Sequence, residues 1–132
     1  METFSIATSS RCELVEITGR VAAVVEACGA SDGIAVIYIP HTTAAVTINE
    51  NADPSVARDI VMKTSKLAER RDRDYTHGEG NSDAHVKASM LGSSETVIIE
   101  EGRLRLGTWQ GIFLAEFDGP RNRRVWVKVI SG

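Results

Sequence analysis

The sequence has few cysteines, few prolines and no long apolar run. Among its 132 residues are two cysteines and three prolines, and Cys12 and Cys28 form no CxxC pair. Two cysteines are too few for a disulfide scaffold. No apolar run approaches the ~20 residues that a membrane span requires, and the first ten residues lack the basic start and apolar core of a signal peptide. We therefore expect a cytoplasmic protein without a membrane partner.

The chain also lacks an excess of basic residues. Fifteen lysines and arginines stand against eighteen acidic residues, which gives a net charge of −3. A general nucleic-acid binder carries a marked basic excess, so we expect no nucleic-acid partner. There is no linker-like stretch or internal repeat, and a chain of this length buries roughly two-thirds of its unfolded surface without disulfides or a structural metal. Residues 1–132 are therefore expected to form one domain.

The first third of the chain changes its hydrophobic period once. Alternating apolar residues over 4–17, interrupted by Thr-Ser-Ser, predict an N-terminal hairpin. From Thr18 the apolar spacing becomes three and four residues, which predicts a helix with Thr18 as its N-cap and Gly29 as its stop.

The rest of the chain reads as strands around two further helices. Asp53 followed by Pro54 predicts the start of a second helix, and Asn81 or Ser82 that of a short third one ending near Gly92. The predicted strands lie at 33–40, 42–48, 95–100, 107–118 and 123–131. The last strand is apolar on both faces, which suggests that a partner subunit covers one of them.

All three histidines fall in the middle third of the chain, among small or polar residues. His41 follows a strand, His77 lies in the polar loop 72–80, and His85 lies on the first turn of the predicted third helix. Three neutral imidazoles brought together suit a divalent metal such as zinc with an open fourth position. The spacing matches no compact zinc signature, so three separate surface histidines remain the alternative.

The segment Gly78-Glu-Gly-Asn-Ser-Asp83 places glycines directly before a helix N-terminus. Backbone N–H groups and the helix dipole at such a point favour a phosphate or carboxylate. An ordinary capped helix is the alternative interpretation. Asp83 could orient a histidine, accept a proton or bind Mg²⁺ carried by a diphosphate, whereas Asp53 is expected only to cap its helix.

The stretch Gly107-Thr-Trp-Gln-Gly111 enters a strand between two glycines. The glycines indicate a bend or a close backbone approach, and Gln110 can both donate and accept at a site. We expect Trp109 to pack structurally. Arg121, Arg123 and Arg124, at the last turn, are more typical of a solvated tip than of a phosphate clamp.

Four stretches together resemble the YjbQ/UPF0047 family, also called the secondary thiamine-phosphate synthase family. They are Pro-His-Thr-Thr-Ala-Ala-Val-Thr-Ile-Asn-Glu-Asn-Ala-Asp at 40–53, Tyr-Thr-His at 75–77, Asn-Ser-Asp-Ala-His-Val-Lys-Ala-Ser-Met-Leu-Gly at 81–92 and Leu-Gly-Thr-Trp-Gln-Gly-Ile-Phe-Leu-Ala-Glu-Phe-Asp at 106–118. The resemblance runs nearly end to end. It implies an α+β fold, a single β-rich domain with a largely antiparallel, sandwich-like sheet and two or three helices, and a homotrimer.

The resemblance also implies an activity: the joining of hydroxymethyl-pyrimidine diphosphate to thiazole phosphate, on small phosphorylated substrates. We accordingly expect a site in which the catalytic residues are Asp83, His85 and Gln110. Metal binding, by zinc or magnesium, is assigned to His41, His77 and His85. Substrate binding is assigned to Thr42, Thr43, Glu50, Gly80, Asn81 and Ser82. A metal-dependent phosphoester hydrolase and a non-catalytic trimeric binding protein remain the alternatives.

Overall fold

A computed structural model describes all residues from 1 to 132. The chain forms eight strands and three helices, and the last two helices follow each other without a strand between them. The elements are β1 (Glu2–Ala7), β2 (Glu13–Glu16), α1 (Thr18–Cys28), β3 (Gly33–Tyr38), β4 (Ala44–Glu50), α2 (Pro54–Leu67), α3 (Ser82–Leu91), β5 (Ser94–Glu100), β6 (Arg103–Leu104), β7 (Gln110–Glu116) and β8 (Asn122–Ser131).

The strands form two antiparallel sheets around one main core. The first sheet has the order β1-β8-β3-β5-β6 and the second the order β2-β7-β4. Residues that alternate along the central strands fill the space between the sheets, among them Ala35, Ile37, Val46, Leu114 and Val127. This arrangement confirms the expected small α+β domain with largely antiparallel sheets.

The expected N-terminal hairpin is wrong, because β1 and β2 belong to different sheets. β1 pairs with β8 and β2 pairs with β7. The segment between them crosses from one sheet to the other beside the β7–β8 connection, where the backbone N–H of Thr8 donates to the carbonyl of Arg121 and that of Gly119 to the carbonyl of Arg11. The polar residues of this segment therefore make long-range hydrogen bonds in place of a local turn.

The helix α1 has the expected bounds but not the expected N-cap. Ile17 occupies the cap position and makes no side-chain cap, while Thr18 is the first helical residue. The Thr18 hydroxyl donates to Glu16 and accepts from the backbone N–H of Ile112, so it joins the helix to β7. At the other end Gly29 adopts the left-handed conformation, with φ of 72°, that favours glycine as a helix stop.

The helices α2 and α3 lie against the outer face of the second sheet. Asp53 caps α2 as expected, since its carboxylate accepts from the N–H of Ser55. Ala84 and Ala88 of α3 pack with Ala45, Ala115 and Phe117 in a second, smaller core. The small side chains let α3 approach the sheet closely, which fixes the position of its first turn.

No helix or strand of this chain covers the outer face of the first sheet. There Tyr38 stacks on Trp126 with ring centroids 5.7 Å apart, and Ile34 lies between Ile98 and Ile130 in the strand register. Ile98 is 61% exposed and Ile130 47%. We call this apolar surface the open face.

None of the three helices has both the length and the apolar character needed to cross a lipid bilayer.

Candidate functional site

A polar cleft lies where the β3–β4 loop, the start of α3 and the β7–β8 connection meet. Its volume is 460 Å³, and its wall consists of polar side chains and Pro40. The lining residues include all three histidines of the chain. The remaining polar members of the wall are Thr42, Thr43, Glu79, Asn81, Asp118, Arg121 and Arg123. An uncharged, apolar molecule would find no matching surface here, whereas a small anionic group would find both hydrogen-bond donors and cations.

The ring of His41 is oriented by the backbone of β8. Its Nε2 atom accepts a hydrogen bond from the N–H of Arg124 at 2.9 Å. A neutral imidazole carries one N–H, so this bond assigns the proton to Nδ1. Burial lowers the pKa of His41, and the nearby positive charge of Arg123 lowers it further. His41 is therefore a neutral side chain with one N–H to donate.

A buried ion pair supports the wall behind His41. The guanidinium of Arg123 binds the carboxylate of Glu116, and it also donates to the hydroxyl of Thr43 at 2.9 Å and to its carbonyl at 3.2 Å. Thr8 donates to the same carboxylate at 2.7 Å. Burial alone would raise the pKa of Glu116, but the bonds from Arg123 and Thr8 outweigh it, so the pKa is lowered and Glu116 stays ionised.

Arg123 therefore corrects the expectation of a solvated arginine tip. Its side chain is buried, although the neighbouring Arg121 and Arg124 are exposed as expected. Its partners lie in other elements, Glu116 seven residues earlier at the end of β7 and Thr43 80 residues earlier in the β3–β4 loop, so the local pattern around Arg123 does not indicate this burial. Arg121 holds Asp118 at 3.0 Å and remains open to a ligand at the edge of the cleft.

His77 and His85 face each other on the other side of the cleft. Their rings meet edge to face, with centroids 5.3 Å apart. His77 lies in the loop before α3, about half exposed, with Glu79 3.9 Å from its Nε2 atom. His85 lies on the first turn of α3 and is partly buried. The two histidines that are closest in sequence are thus also adjacent in space.

The N-terminus of α3 is fixed by the β7–β8 connection. Asn81 occupies the cap position but makes no side-chain cap; its Nδ2 atom donates to Asp118 at 2.8 Å instead. Asn81 lines the polar cleft. Gly80, with φ of 74°, adopts the left-handed conformation that leads the loop into the helix, while Ser82 lies beside His77 and His85 on a neighbouring surface.

Asp83 lies behind the cleft wall, in a buried ionic group. Its carboxylate binds Arg11 through two hydrogen bonds, at 3.0 and 3.1 Å, and Lys87 at 3.1 Å. Burial would raise the pKa of Asp83, but Arg11 and Lys87 together lower it. Its hydrogen-bond partners are these cations and no histidine, so within this chain Asp83 supports α3 from behind and does not line the cleft.

Glu50 and Gln110 lie far from the histidines within one chain. They face each other in the β4–β7 register at the end of β4 opposite to the cleft. At about 3.3 Å per residue, the seven residues of β4 extend over roughly 20 Å. Glu50 accepts from the N–H of Asp53 and Gln110 from that of Gly107, so both stabilise local turns. The structure does not bring these two expected site residues to the cleft of the same subunit.

Trp109 and Gly111 flank Gln110. Trp109 was expected to pack in the structure, and Gly111 to mark a bend or a close backbone approach. Trp109 is 63% exposed, so the expected structural packing is wrong. Gly111 does mark a close approach, because a Cβ atom there would lie 2.7 Å from the Cβ of Asn51 and 2.8 Å from the carboxylate of Glu16.

The donor set does not match a three-histidine metal site within one chain. No three His, Cys, Asp or Glu side chains lie close enough together to hold a metal ion, and the Nε2 lone pair of His41 is already used by Arg124. The same histidines fit an anion better, because His41 presents an N–H group. Binding of zinc or magnesium stays a prediction.

Sequence reasoning missed the residues that support the site. Arg11, Glu116 and Asp118 bind the side chains or the backbone that shape the cleft. An acidic residue inside the apolar run Phe113-Leu-Ala-Glu-Phe117 is the one signal that could have indicated a buried ion pair.

Comparisons with known proteins point to one family over nearly the whole chain. A family model described as "UPF0047 protein YjbQ-like" matches residues 2–132. A UPF0047 protein of Methanocaldococcus jannaschii is 55% identical, over 97% of this chain and 92% of the relative. YugU of Bacillus subtilis is 46% identical, over 99% of both chains.

Solved structures agree equally well. A YjbQ/UPF0047-family protein of Clostridium acetobutylicum superposes with a TM-score of 0.96 at 53% identity, over 98% of this chain and all of the other. A YbjQ-like protein of unknown function from Sulfolobus solfataricus has a TM-score of 0.94 at 36% identity, over 99% and 96% of the two chains.

Proposed function

The chain belongs to the UPF0047 YjbQ-like family, and from this premise we propose that its polar cleft binds the diphosphate of a small substrate in a thiamine-phosphate synthase-like transfer. The observation that carries the proposal is the gathering of all three histidines and two arginines around one cleft of 460 Å³. The following paragraphs argue the proposal from the contacts of these residues.

His41 supplies a neutral donor for a phosphate oxygen. The N–H of Arg124 occupies Nε2, which leaves Nδ1–H without a partner inside the chain. Because the pKa of His41 is lowered, the ring stays neutral at neutral pH and this donor persists. A hydrogen bond from a fixed donor to an anion is worth more than one between neutral groups.

Arg121 and the threonines complete the phosphate contacts. Arg121 is exposed at the cleft edge, where its guanidinium can bind a phosphate while it contacts Asp118. Thr43 is held by Arg123, and Thr42 is exposed on the same loop. Arg123 itself is neutralised by Glu116, so its role is to orient Thr43.

The reaction needs alignment and stabilisation of a leaving group more than it needs a nucleophile from the protein. The bond between the pyrimidine methylene carbon and the diphosphate oxygen breaks, and diphosphate leaves with the electron pair. The thiazole nitrogen then forms the new bond to that carbon, giving thiamine phosphate and diphosphate with no net proton transfer. Donors aimed at the departing diphosphate lower the barrier electrostatically, and holding both partners in one site supplies the rest.

Asp83 has a positioning role in this proposal. Bound to Arg11 and Lys87, it fixes the first turn of α3 and with it His85. Gly80, Asn81 and Ser82 shape the approach to that turn beside the phosphate. Glu50 and Gln110 can reach a cleft only from another subunit.

We also propose that the chain assembles as a homotrimer in the cytoplasm. The open face exposes more contiguous apolar surface than isolated surface hydrophobics do, with Ile98 and Ile130 on either side of Ile34. A second copy that covered this face would bury it. Both cysteines are free, as is usual for proteins of the reducing cytoplasm.

Product analysis tests the activity. Protein is incubated with hydroxymethyl-pyrimidine diphosphate and thiazole phosphate, and we expect thiamine phosphate and diphosphate in equal amounts. Arg121→Ala is expected to lower the rate about tenfold or more, since a charge-assisted hydrogen bond contributes roughly 1.5–3 kcal/mol. Arg105→Ala is the matched control, because Arg105 is an exposed arginine paired with Glu100 outside the cleft.

Two other results would each overturn the transferase, and a third would change the role of its histidines. Release of inorganic phosphate without the second substrate would indicate a phosphoester hydrolase. Saturable binding without turnover would indicate a binding protein. A stoichiometric metal in untagged protein, lost in His85→Ala, would assign the histidines to zinc or magnesium and replace direct binding of phosphate by the imidazoles.

A further inference from the structure

A cleft separate from the polar cleft lies between helix α1 and the hairpin formed by β5 and β6. It has a volume of 410 Å³, and the two clefts share no residue. One wall consists of three α1 residues spaced about one turn apart: Thr18, Ala22 and Glu26. The other wall consists of residues 101–104 and Leu106, from the hairpin and the segment after it. We call this space the hairpin cleft.

The middle of the hairpin cleft is apolar. Ala22 lies on the helix wall, while Leu104 and Leu106 on the opposite wall pack against the main core. Ala22 is exposed and the two leucines are only partly buried, so water contacts all three. An aliphatic group placed between them would remove apolar surface from water on both sides of the cleft.

The charged residues lie at one end of the hairpin cleft. The N–H of Gly102 donates to the carbonyl of Ser31 at 2.8 Å, so the tip of the hairpin lies beside the C-terminal end of α1. This contact brings Glu101 and Arg103 to the same end of the cleft as Glu26, which is in the last turn of α1. The first turn of α1 lies at the opposite end, roughly 12 Å away along the helix axis.

These three charged residues have no charged partner within the chain. None of the ion pairs involves Glu26, Glu101 or Arg103. The next arginine, Arg105, is instead paired with Glu100 at 3.7 Å. The cleft therefore offers two carboxylates and one guanidinium to a ligand, which suits a molecule that carries both a cation and an anion. The dipole of α1 is negative at this end and adds to the attraction for the cation.

We propose that the hairpin cleft binds a free α-amino acid with an aliphatic side chain. Its ammonium group contacts Glu26 and Glu101, its carboxylate contacts Arg103, and its side chain lies against the apolar middle. A fatty acid would leave both carboxylates of the cleft without a partner, and an alkylamine would leave Arg103 without one. The volume lies within the range of roughly 300–1,000 Å³ that is usual for small-molecule sites.

Titrations followed by the backbone amide NMR signals of nitrogen-labelled protein test the inference. L-leucine is the complete probe. Glycine lacks the aliphatic chain, leucinamide lacks the carboxylate, and isocaproate lacks the ammonium group. We expect leucine to shift signals of the residues that line the hairpin cleft, and each of the other probes to bind about tenfold more weakly.

Substitutions of the charged end test the head-group contacts. Arg103→Gln should lower the affinity for leucine about tenfold and leave that for leucinamide unchanged, because leucinamide has no carboxylate to lose. Glu101→Asn removes a carboxylate and suits the left-handed backbone of Glu101, where φ is 54°, so it does not strain the turn. It should weaken leucine binding severalfold. Arg105→Gln is the matched control and should leave the affinity for leucine unchanged.

A pair of alanine substitutions tests the apolar middle. Ala22→Leu fills the space between helix and hairpin and should lower the affinity for leucine more than tenfold. Ala23→Leu adds the same side chain at the next exposed position of α1, outside the hairpin cleft, and should leave the affinity unchanged. Since both positions are exposed on the same helix, the two variants have similar effects on folding.

Three results would overturn the inference. Absence of shifts up to about 20 mM leucine would show that the cleft binds no amino acid. Equal affinity for leucine and for either leucinamide or isocaproate would refute the paired head-group contacts. An affinity for leucine that survives both Arg103→Gln and Ala22→Leu would place its binding elsewhere on the protein. Because the hairpin cleft and the polar cleft share no residue, each of these results leaves the proposed function unaffected.

Discussion

The Nε2 atom of His41 lies 2.9 Å from the backbone nitrogen of Arg124, so a side chain of the β3–β4 loop is held by a strand 83 residues further along the chain. The bond exists only while Nε2 is unprotonated. Any condition that protonates His41 therefore removes a contact between the loop and β8 and also adds a positive charge beside Arg123.

A pH dependence of stability follows from this bond. Burial, and then Arg123, hold the pKa of His41 below its usual 6.5 in the folded protein. Between that lowered pKa and 6.5 the unfolded state binds more protons than the folded state, so the free energy of unfolding decreases as the pH falls through this range. Urea unfolding at pH 7.5, 6.5 and 5.5 should show a smaller decrease for His41→Gln than for the parent protein. An identical decrease in both would contradict the assignment.

The Glu116–Arg123 pair predicts a large loss of stability. Glu116→Gln leaves the buried Arg123 without its carboxylate, and removing one partner of a buried pair costs about 3–5 kcal/mol of unfolding free energy. Glu100→Gln, in the exposed pair of Glu100 and Arg105, should cost less than about 1 kcal/mol. Urea denaturation of both variants measures the difference. Equal and small losses would show that Arg123 reaches water when its partner is removed.

The buried ionic group around Asp83 predicts that a second substitution partly restores the stability lost by the first. Asp83→Asn leaves Lys87, which is 1% exposed, without its counter-ion and should lower the unfolding free energy by about 3–5 kcal/mol. Adding Lys87→Met to this variant removes the buried charge, and Arg11 is exposed enough to be hydrated, so we expect part of the loss to be recovered. Chemical denaturation of the two single variants and the double variant forms the cycle. A double variant no more stable than Asp83→Asn would refute the idea that Lys87 is the costly partner.

The open face predicts an effect on assembly. Ile98→Lys places a charge on the open face next to Ile34 and should convert a trimer to monomers at micromolar concentration. Ala23→Lys adds the same charge on the exposed side of α1 and serves as the control. Light scattering coupled to gel filtration gives the mass of each. A parent protein that is monomeric, or an Ile98→Lys protein that keeps the parent mass, would place the interface elsewhere or remove it.

The sequence predicts those parts of the site that local pattern determines. The ends of α1 and α2 follow from Gly29 and from Asp53 with Pro54, because a helix stop and an N-cap depend on residues a few positions apart. His41 and His85 could be identified as candidate site residues from the sequence. His41 follows a strand, His85 lies on the first turn of a helix, and both have small or polar neighbours. The approach of distant loops to one another then places them in one cleft.

The parts that escape prediction depend on distant partners. Arg121, Arg123 and Arg124 are alike in sequence, and the carboxylate of Glu116, at the end of β7 in the other sheet, decides which one is buried. The polar residues between β1 and β2 have turn composition, but hydrogen bonds to the β7–β8 connection make them a crossover. Local propensity cannot distinguish these cases. Glu116 belongs to a different sheet from Arg123, and Thr8 bonds to Arg121, 113 residues further along the chain.

β1 pairs with β8 and β2 pairs with β7, which determines when the polar cleft can form during synthesis of the chain. Glu2 pairs with Val127 and Glu13 with Glu116. The first strands to leave the ribosome therefore have no pairing partners until the last strands are synthesised. His41, His85 and Arg123 cannot gather around the cleft before β8 is in place. A growing chain that lacks β8 therefore has no complete polar cleft. The cleft is complete only when the final strand, β8, pairs with β1 and β3 in the first sheet.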